Sequence, residues 1–205
     1  MVNDLPVTSY AVLGLLALRP WTGYELTMQA RRSLAFCWPK EESVLYEEPR
    51  RLVARGLARA RKERDGGRVR NRYEITAKGR RALRDWLAAE SGPPRPNLEP
   101  LLRLTFADHG GLSDALATVD ALREWAVALR AEGMQILHGY RDGQAPFPER
   151  NHINVLNSYF YLALYDATIA FADMARREIE AWPRTDGLGM TERTRALLDS
   201  LLAAE

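Results

Sequence analysis

Two hydrophobic periods alternate along the first half of the chain, and one rules the second. TSYAVLGLLAL, residues 8–18, is apolar nearly all round. That predicts a buried helix with Thr8 or Ser9 as N-cap and Pro20 just past its end. TGYELTMQARRSL predicts a second helix capped by Thr22, with Tyr24, Leu26 and Ala30 among its buried residues. In ESVLYEEPRRLVARGL, at 100° per residue, Leu45, Pro49, Leu52 and Val53 fall on one face. Lys40, Ser43, Glu47, Arg50, Arg51 and Ala54 fall on the other, and Gly56 suits a left-handed C-cap. After Leu57 the period becomes two. RVRNRYEI puts Val69, Asn71, Tyr73 and Ile75 on one side and Arg68, Arg70, Arg72 and Glu74 on the other. Upstream, LARARK alternates in register with it, and Asp65-Gly66-Gly67 between them predicts a hairpin turn. TAKGRRALRDWLAA then returns to a helical period behind Thr76.

SGPPRPNLEP, residues 91–100, holds four prolines. Proline lacks a backbone N–H and restricts the residue before it, so this stretch reads as a stiff connector. The chain divides on this reading into 1–90, a linker 91–100, and 101–205. The last part is all helix. One long helix starts at Ser113 as N-cap, with Leu116, Val119, Leu122, Ala126, Leu129, Ile136 and Tyr140 on its stripe. A second carries Ile153, Leu156, Phe160, Leu164, Ala167, Phe171 and Met174, and a third follows Thr191. Stripes this long seldom bury all their apolar surface within one chain, so a dimer seam is expected beside the alternative of a monomeric bundle.

Charge sharpens the picture. The net charge of +2 conceals an asymmetry: residues 1–92 hold 18 Lys and Arg against 11 Asp and Glu, and the remainder 11 against 16. Within residues 50–84, 14 basic side chains meet only three acidic ones. Such a field attracts polyanions, nucleic acid first among them. No apolar run approaches the ~20 residues of a membrane span. The opening residues lack a secretory pattern, so a cytoplasmic location is expected. The single cysteine, Cys37, leaves no intrachain disulfide or cysteine-based zinc site. His109, His138 and His152 form no metal or triad motif, and no phosphate-cradling glycine loop occurs, so neither catalysis nor a cofactor is expected.

Three helices followed by a basic ribbon is the winged helix-turn-helix order. The fold class expected is mainly α: a winged helix-turn-helix domain with a two-stranded wing, plus a C-terminal helical dimerisation domain. The third helix offers a polar, partly basic face suited to the major groove, and the arginine ribbon is suited to phosphate or the minor groove. VLGLLAL, then Gly23-Tyr24-Glu25, Leu45-Tyr46, Leu52, Gly56-Leu57 and Tyr73 to Gly79 resemble the PadR family of transcriptional regulators. The similarity is close over residues 9–87. The long helices behind PLLRLTFADHG look like the larger C-terminal domain of part of that family. The resemblance implies a homodimeric repressor that binds a pseudo-palindromic double-stranded operator and is released by a small-molecule effector. It implies DNA contacts from Lys40, Ser43, Tyr46, Arg50 and Arg51, with Arg68, Arg70 and Arg72 on the wing. Tyr24 and Tyr73 are expected to pack rather than touch DNA.

The sequence departs from the family pattern at Glu47-Glu48-Pro49. If the third helix begins near Lys40, Pro49 removes an interior hydrogen bond; if it begins near Tyr46, Pro49 falls in the first turn and costs little. Glu47, on the outward face, either accepts a hydrogen bond from cytosine, repels wrong sequences, or favours the helix N-terminus. The many aromatic residues of the second half fit a core and dimer seam or an apolar effector pocket. A winged-helix protein-interaction module, or a ligand-sequestering protein without specific DNA binding, stays open as an alternative.

Overall fold

The structure is a computed structural model, and it describes residues 5–34, 38, 41–65, 68–93 and 97–203. Two compact units divide the chain, Met1–Pro94 and Arg95–Glu205.

The first unit begins with α1 (Val7–Leu18). It starts ahead of both expected caps: Pro6 occupies the N-cap position, and Thr8 and Ser9 are buried inside the helix. Proline needs no donor there, which explains the early start. Val12, Leu13 and Leu16 are almost wholly buried, as are Leu26 and Leu52 on the next two helices, which α1 packs against. Next comes a strand absent from the sequence reading, β1 (Trp21–Thr22). It is too short for any period to reveal. It pairs antiparallel with β3, Trp21 opposite Tyr73 and Thr22 opposite Arg72, so the sheet has three strands rather than two, in the order β1-β3-β2. The Trp21 indole donates to the Leu15 carbonyl at 2.8 Å.

Helix α2 (Gly23–Ser33) opens with a capping box: Thr22 Oγ1 accepts from the Glu25 N–H, and the Glu25 carboxylate accepts from the Thr22 N–H. Leu26 and Ala30 are buried as expected, but Tyr24 is 68% exposed. Helix α3 (Glu42–Ala54) starts between the two alternatives considered above, so Pro49 lies inside it, buried, and the Leu45 carbonyl loses its intrahelical donor. Gly56, at φ 69°, turns the chain into β2. β2 (Ala58–Asp65) and β3 (Arg68–Ile75) form the wing, in register from Ala58 opposite Ile75 to Asp65 opposite Arg68. The turn glycines Gly66 and Gly67 lie outside the described residues.

Helix α4 (Ala77–Ala88) is capped by Thr76, whose hydroxyl accepts from the Gly79 N–H and donates to the Gly56 and Leu57 carbonyls. Its Trp86 stacks on Tyr10 of α1, ring centroids 4.9 Å apart.

The second unit opens with α5 (Glu99–Thr105), which starts within the stretch read as linker: Pro100 sits in its first turn, where proline costs a helix least. Helices α6 (Leu112–Arg141) and α7 (Asn151–Glu180) form a long hairpin. Asp114 accepts from the Gly111 N–H, so the cap falls at Gly111 rather than Ser113. Ala115, Val119, Ala175 and Ile179 make a core cluster against which Leu104, Leu112 and Trp182 pack. Three Arg–Asp pairs clamp the two helices: Arg123–Asp173, Arg130–Asp166 and Arg176–Asp120. Helix α8 (Glu192–Leu202) is capped by Thr191.

The stripe read from the α7 sequence is not the face that packs on α6. Tyr165, Ala172, Ala175 and Ile179 are buried in the hairpin. Leu156 at 69% and Phe160 at 63% stay exposed, with Ile153, Leu164 and Phe171 beside them.

Candidate nucleic-acid interface

Helix α3 is seated by its apolar residues and by one buried polar bond. Leu45 and Leu52 sink into the core. Beside them Glu48, 3% exposed, accepts a short hydrogen bond from the Ser9 hydroxyl of α1. Burying a carboxylate is costly without a partner, so this bond both satisfies it and ties the rotation of α3 to α1. The helical pattern alone places Glu48 next to Glu47; the fold sends one inward and leaves the other outside.

The outward face then carries two ridges at i, i+4 spacing. Ser43, Glu47 and Arg51 form one, all exposed. Tyr46 and Arg50 form the other, with the Arg50 guanidinium 5.6 Å from the Tyr46 ring centre. Tyr46 is half exposed, and its ring lies against Gly23, where a Cβ would stand 3.2 Å from it. Arg51 is 3.2 Å from Glu47 Oε2 and 3.9 Å from Glu48 Oε2. A shallow cavity of about 370 Å³ between α2 and α3 is lined by Tyr24, Thr27, Met28, Ser43 and Tyr46 along with Glu42 and Glu47. The exposure of Tyr24 places it on this outward surface, a correction to its expected packing role. Tyr73, by contrast, is buried. Lys40 lies outside the described residues.

The wing differs in character from an unbroken arginine strip. Strand register places Arg59, Arg61 and Glu63 on the same face as Arg70, Arg72 and Glu74. Arg59 meets Glu74 at 2.6 Å, and Arg61 meets the same carboxylate at 3.5 Å. Arg72 is the most committed. It pairs with Glu63, lies 3.5 Å from Glu25 Oε2, and donates to the Pro20 carbonyl at 3.2 Å. It therefore links both wing strands to the start of α2. The Glu25 carboxyl is held below the usual 4.5, first by the Thr22 N–H, against the opposing cost of burial, and then by the Thr22 hydroxyl and the Arg72 and Arg19 charges. Arg70 is exposed near the tip. Arg68 opens β3, and its side chain lies outside the described structure.

Among the described residues, no three His, Cys, Asp or Glu side chains gather as a metal site, and no helix is long and apolar enough to cross a membrane. In the second unit the aromatic residues pack on one another: Trp125 meets Tyr165 edge-on at 5.7 Å, and Tyr161 stacks near Tyr165 at 6.4 Å. Burial, helped by the Glu132 charge, raises the Tyr165 hydroxyl above its ordinary pKa.

A tri-helical core and a three-stranded sheet ending in a basic hairpin define a winged-helix unit, followed along the chain by a helical hairpin unit. Residues 12–85 match the transcriptional regulator PadR-like family. Over 82 residues the chain is 32% identical to the negative transcriptional regulator PadR of Bacillus subtilis, an alignment covering 40% of this chain and 45% of that protein. The crystal structure of that PadR in complex with operator DNA superposes with a TM-score of 0.74 at 20% identity, covering 85% of this chain and 99% of that one. The same protein in complex with p-coumaric acid gives 0.67 at 20% identity, with coverage of 85% and 99%. The Vibrio cholerae virulence activator AphA gives 0.67 at 23% identity, with coverage of 85% and 98%. At these identities the structural likeness establishes the fold across both units. The family match is confined to the winged helix, residues 12–85; the likeness across the rest of the chain is one of fold. The matched family and these solved relatives are regulators of transcription rather than enzymes.

Proposed function

We propose that this protein is a homodimeric, sequence-specific DNA-binding repressor, without catalytic activity and acting in the cytoplasm. The observation that carries this reading is the outward face of α3. It leaves Ser43, Tyr46, Arg50 and Arg51 exposed on a helix whose opposite side is locked into the core. An α-helix fits the major groove, and these residues supply base donors and phosphate contacts. Lys40 would extend the same face. Arg68 and Arg70 reach phosphate from the wing, whereas Arg72 holds the wing to α2. The exposed stripe of Leu156, Phe160 and Leu164 on α7 supports dimerisation, because burying it removes a large apolar surface from water. Two winged helices then meet half-sites about one helical turn, or a multiple of it, apart. The domain organisation proposed is a DNA-binding domain, 1–90, joined by residues 91–100 to a dimerisation and effector domain, 101–205.

Repression is favoured by the negative regulator among its relatives, although an activator shares the fold. Release by a small apolar or aromatic effector is suggested by the aromatic cluster around Tyr165 and by the p-coumaric acid complex of the relative. The test is binding to the DNA upstream of the protein's own gene at two salt concentrations. A specific complex whose affinity falls steeply with salt is expected. Absence of a specific complex at either salt concentration would favour a protein-interaction module instead.

A further inference from the structure

Glu47 is the feature that a DNA-reading helix leaves unexplained. It stands exposed in the middle of the proposed groove face, where phosphates would repel it. Two observations turn it from a liability into a reader. First, Arg51 one turn later neutralises it, with Nη2 3.2 Å from Glu47 Oε2. Second, Arg51 is oriented from below: its Nη1 is 3.9 Å from Glu48 Oε2, and Glu48 is buried and fixed by the Ser9 hydroxyl. A line of polar groups thus runs from the core to the groove face and presents an acceptor beside a donor.

The major-groove edge of a G·C pair presents the complementary set, guanine O6 and N7 as acceptors and cytosine N4 as donor. Guanine O6 and cytosine N4 are themselves hydrogen-bond partners, so they stand about 2.9 Å apart. The Glu47–Arg51 spacing of 3.2 Å matches that separation. We propose that Glu47 and Arg51 together read one G·C base pair in each operator half-site, Glu47 accepting from the cytosine amino group and Arg51 donating to guanine. This rests on the DNA-binding reading above. A helix that merely repelled wrong sequences would need neither the paired arginine nor the buried carboxylate that orients it.

The experiment is selection from a randomised duplex library with the full-length wild-type protein, Glu47→Gln and Glu47→Ala, followed by competition binding to the selected duplexes. Thermal melts confirm that each variant folds. The wild type is expected to enrich a two-fold symmetric motif with G·C at one pair of related positions. Glutamine pairs bidentately with adenine, so Glu47→Gln should shift those positions towards A·T by about tenfold. Glu47→Ala should lose discrimination there while binding non-specific duplex more tightly, one repulsive charge having gone. If both variants enrich the wild-type motif with equal preference at every position, Glu47 reads nothing and the proposal falls. If the wild type itself enriches no motif, the DNA-binding reading falls first and this proposal with it.

Discussion

Gly79 gives the most direct test of how the wing is attached. It is the third residue of α4, and it is buried against the Leu57 backbone. A Cβ built there would stand 2.9 Å from Ile75 Cγ1 and 3.1 Å from the Leu57 carbonyl carbon, with the carbonyl oxygen nearer than either. Backbone cannot swing aside as the end of a side chain can. That carbonyl also accepts from the Thr76 N–H at 3.0 Å and from its hydroxyl at 3.1 Å, so any shift weakens the cap of α4. Overpacking of this kind costs about 1–3 kcal/mol, and each compromised hydrogen bond about 1 kcal/mol more. Against this, Gly→Ala in a helix gains about 1 kcal/mol. Gly79→Ala should therefore destabilise by about 2–4 kcal/mol. Gly14, inside α1, is the matched control: nothing lies within 4 Å of its built Cβ. Gly14→Ala should stabilise by about 0.5–1 kcal/mol. Urea unfolding of both full-length variants, followed by circular dichroism at fixed protein concentration, should move the midpoints in opposite directions. A Gly79→Ala protein as stable as the wild type would refute the claim that α4 is seated on that carbonyl.

Other consequences can be checked separately. Arg70→Ala should flatten the salt dependence of DNA binding by about one counterion, whereas Arg72→Ala should lower the melting temperature and affinity yet leave that slope unchanged; fluorescence anisotropy across a salt series separates them, and equal slope losses would show Arg72 on phosphate after all. Glu25 has its folded pKa depressed, so its contribution to stability is present above its ordinary 4.5 and is lost as pH falls through the lower folded value. Glu25→Gln should therefore be less stable than wild type at neutral pH and lose less on acidification below 4.5, which thermal melts at stepped pH will record. Leu156→Glu with Phe160→Glu should convert the proposed dimer to monomer in sedimentation velocity. Each apolar side chain is worth about 1.5–3 kcal/mol when buried, and a two-fold interface counts each change twice. An unaltered dimer would place the seam elsewhere.

Much of this fold is legible in the sequence because its signals are local. The change from a helical period to a period of two locates the wing, Thr22 and Thr76 announce helix starts, and Gly56 marks the turn out of α3. What escapes is decided between distant segments. β1 is two residues long and exists because β3 is there to pair with it. Periodicity places Glu48 beside Glu47 without disclosing that Ser9, 39 residues away, receives it. Arg72 alternates with its neighbours like any wing residue, yet three partners from β2, α2 and the Pro20 carbonyl claim it. On α7 the apolar positions outnumber what one helix face can bury, so the pattern alone does not say which stripe meets α6. Burial of Tyr165 and Ala172 answers that and leaves Leu156 and Phe160 outside.

Those non-local contacts share a purpose. A winged helix reads DNA with two elements, α3 and the wing, that contribute together only if their separation is fixed. Each is anchored by a bond that local sequence does not specify: α3 to α1 through Ser9 and Glu48, the wing to α2 through Arg72 and Glu25, and the junction between them through Leu57, Thr76 and Gly79. Pro49 fits the same logic. It forfeits one backbone hydrogen bond at Leu45, yet it is buried among the anchoring residues rather than on the outward face. Its cost falls on the inner side of the helix, where core packing offsets it, and the ridge of Ser43, Glu47 and Arg51 remains continuous across the turn that contains it.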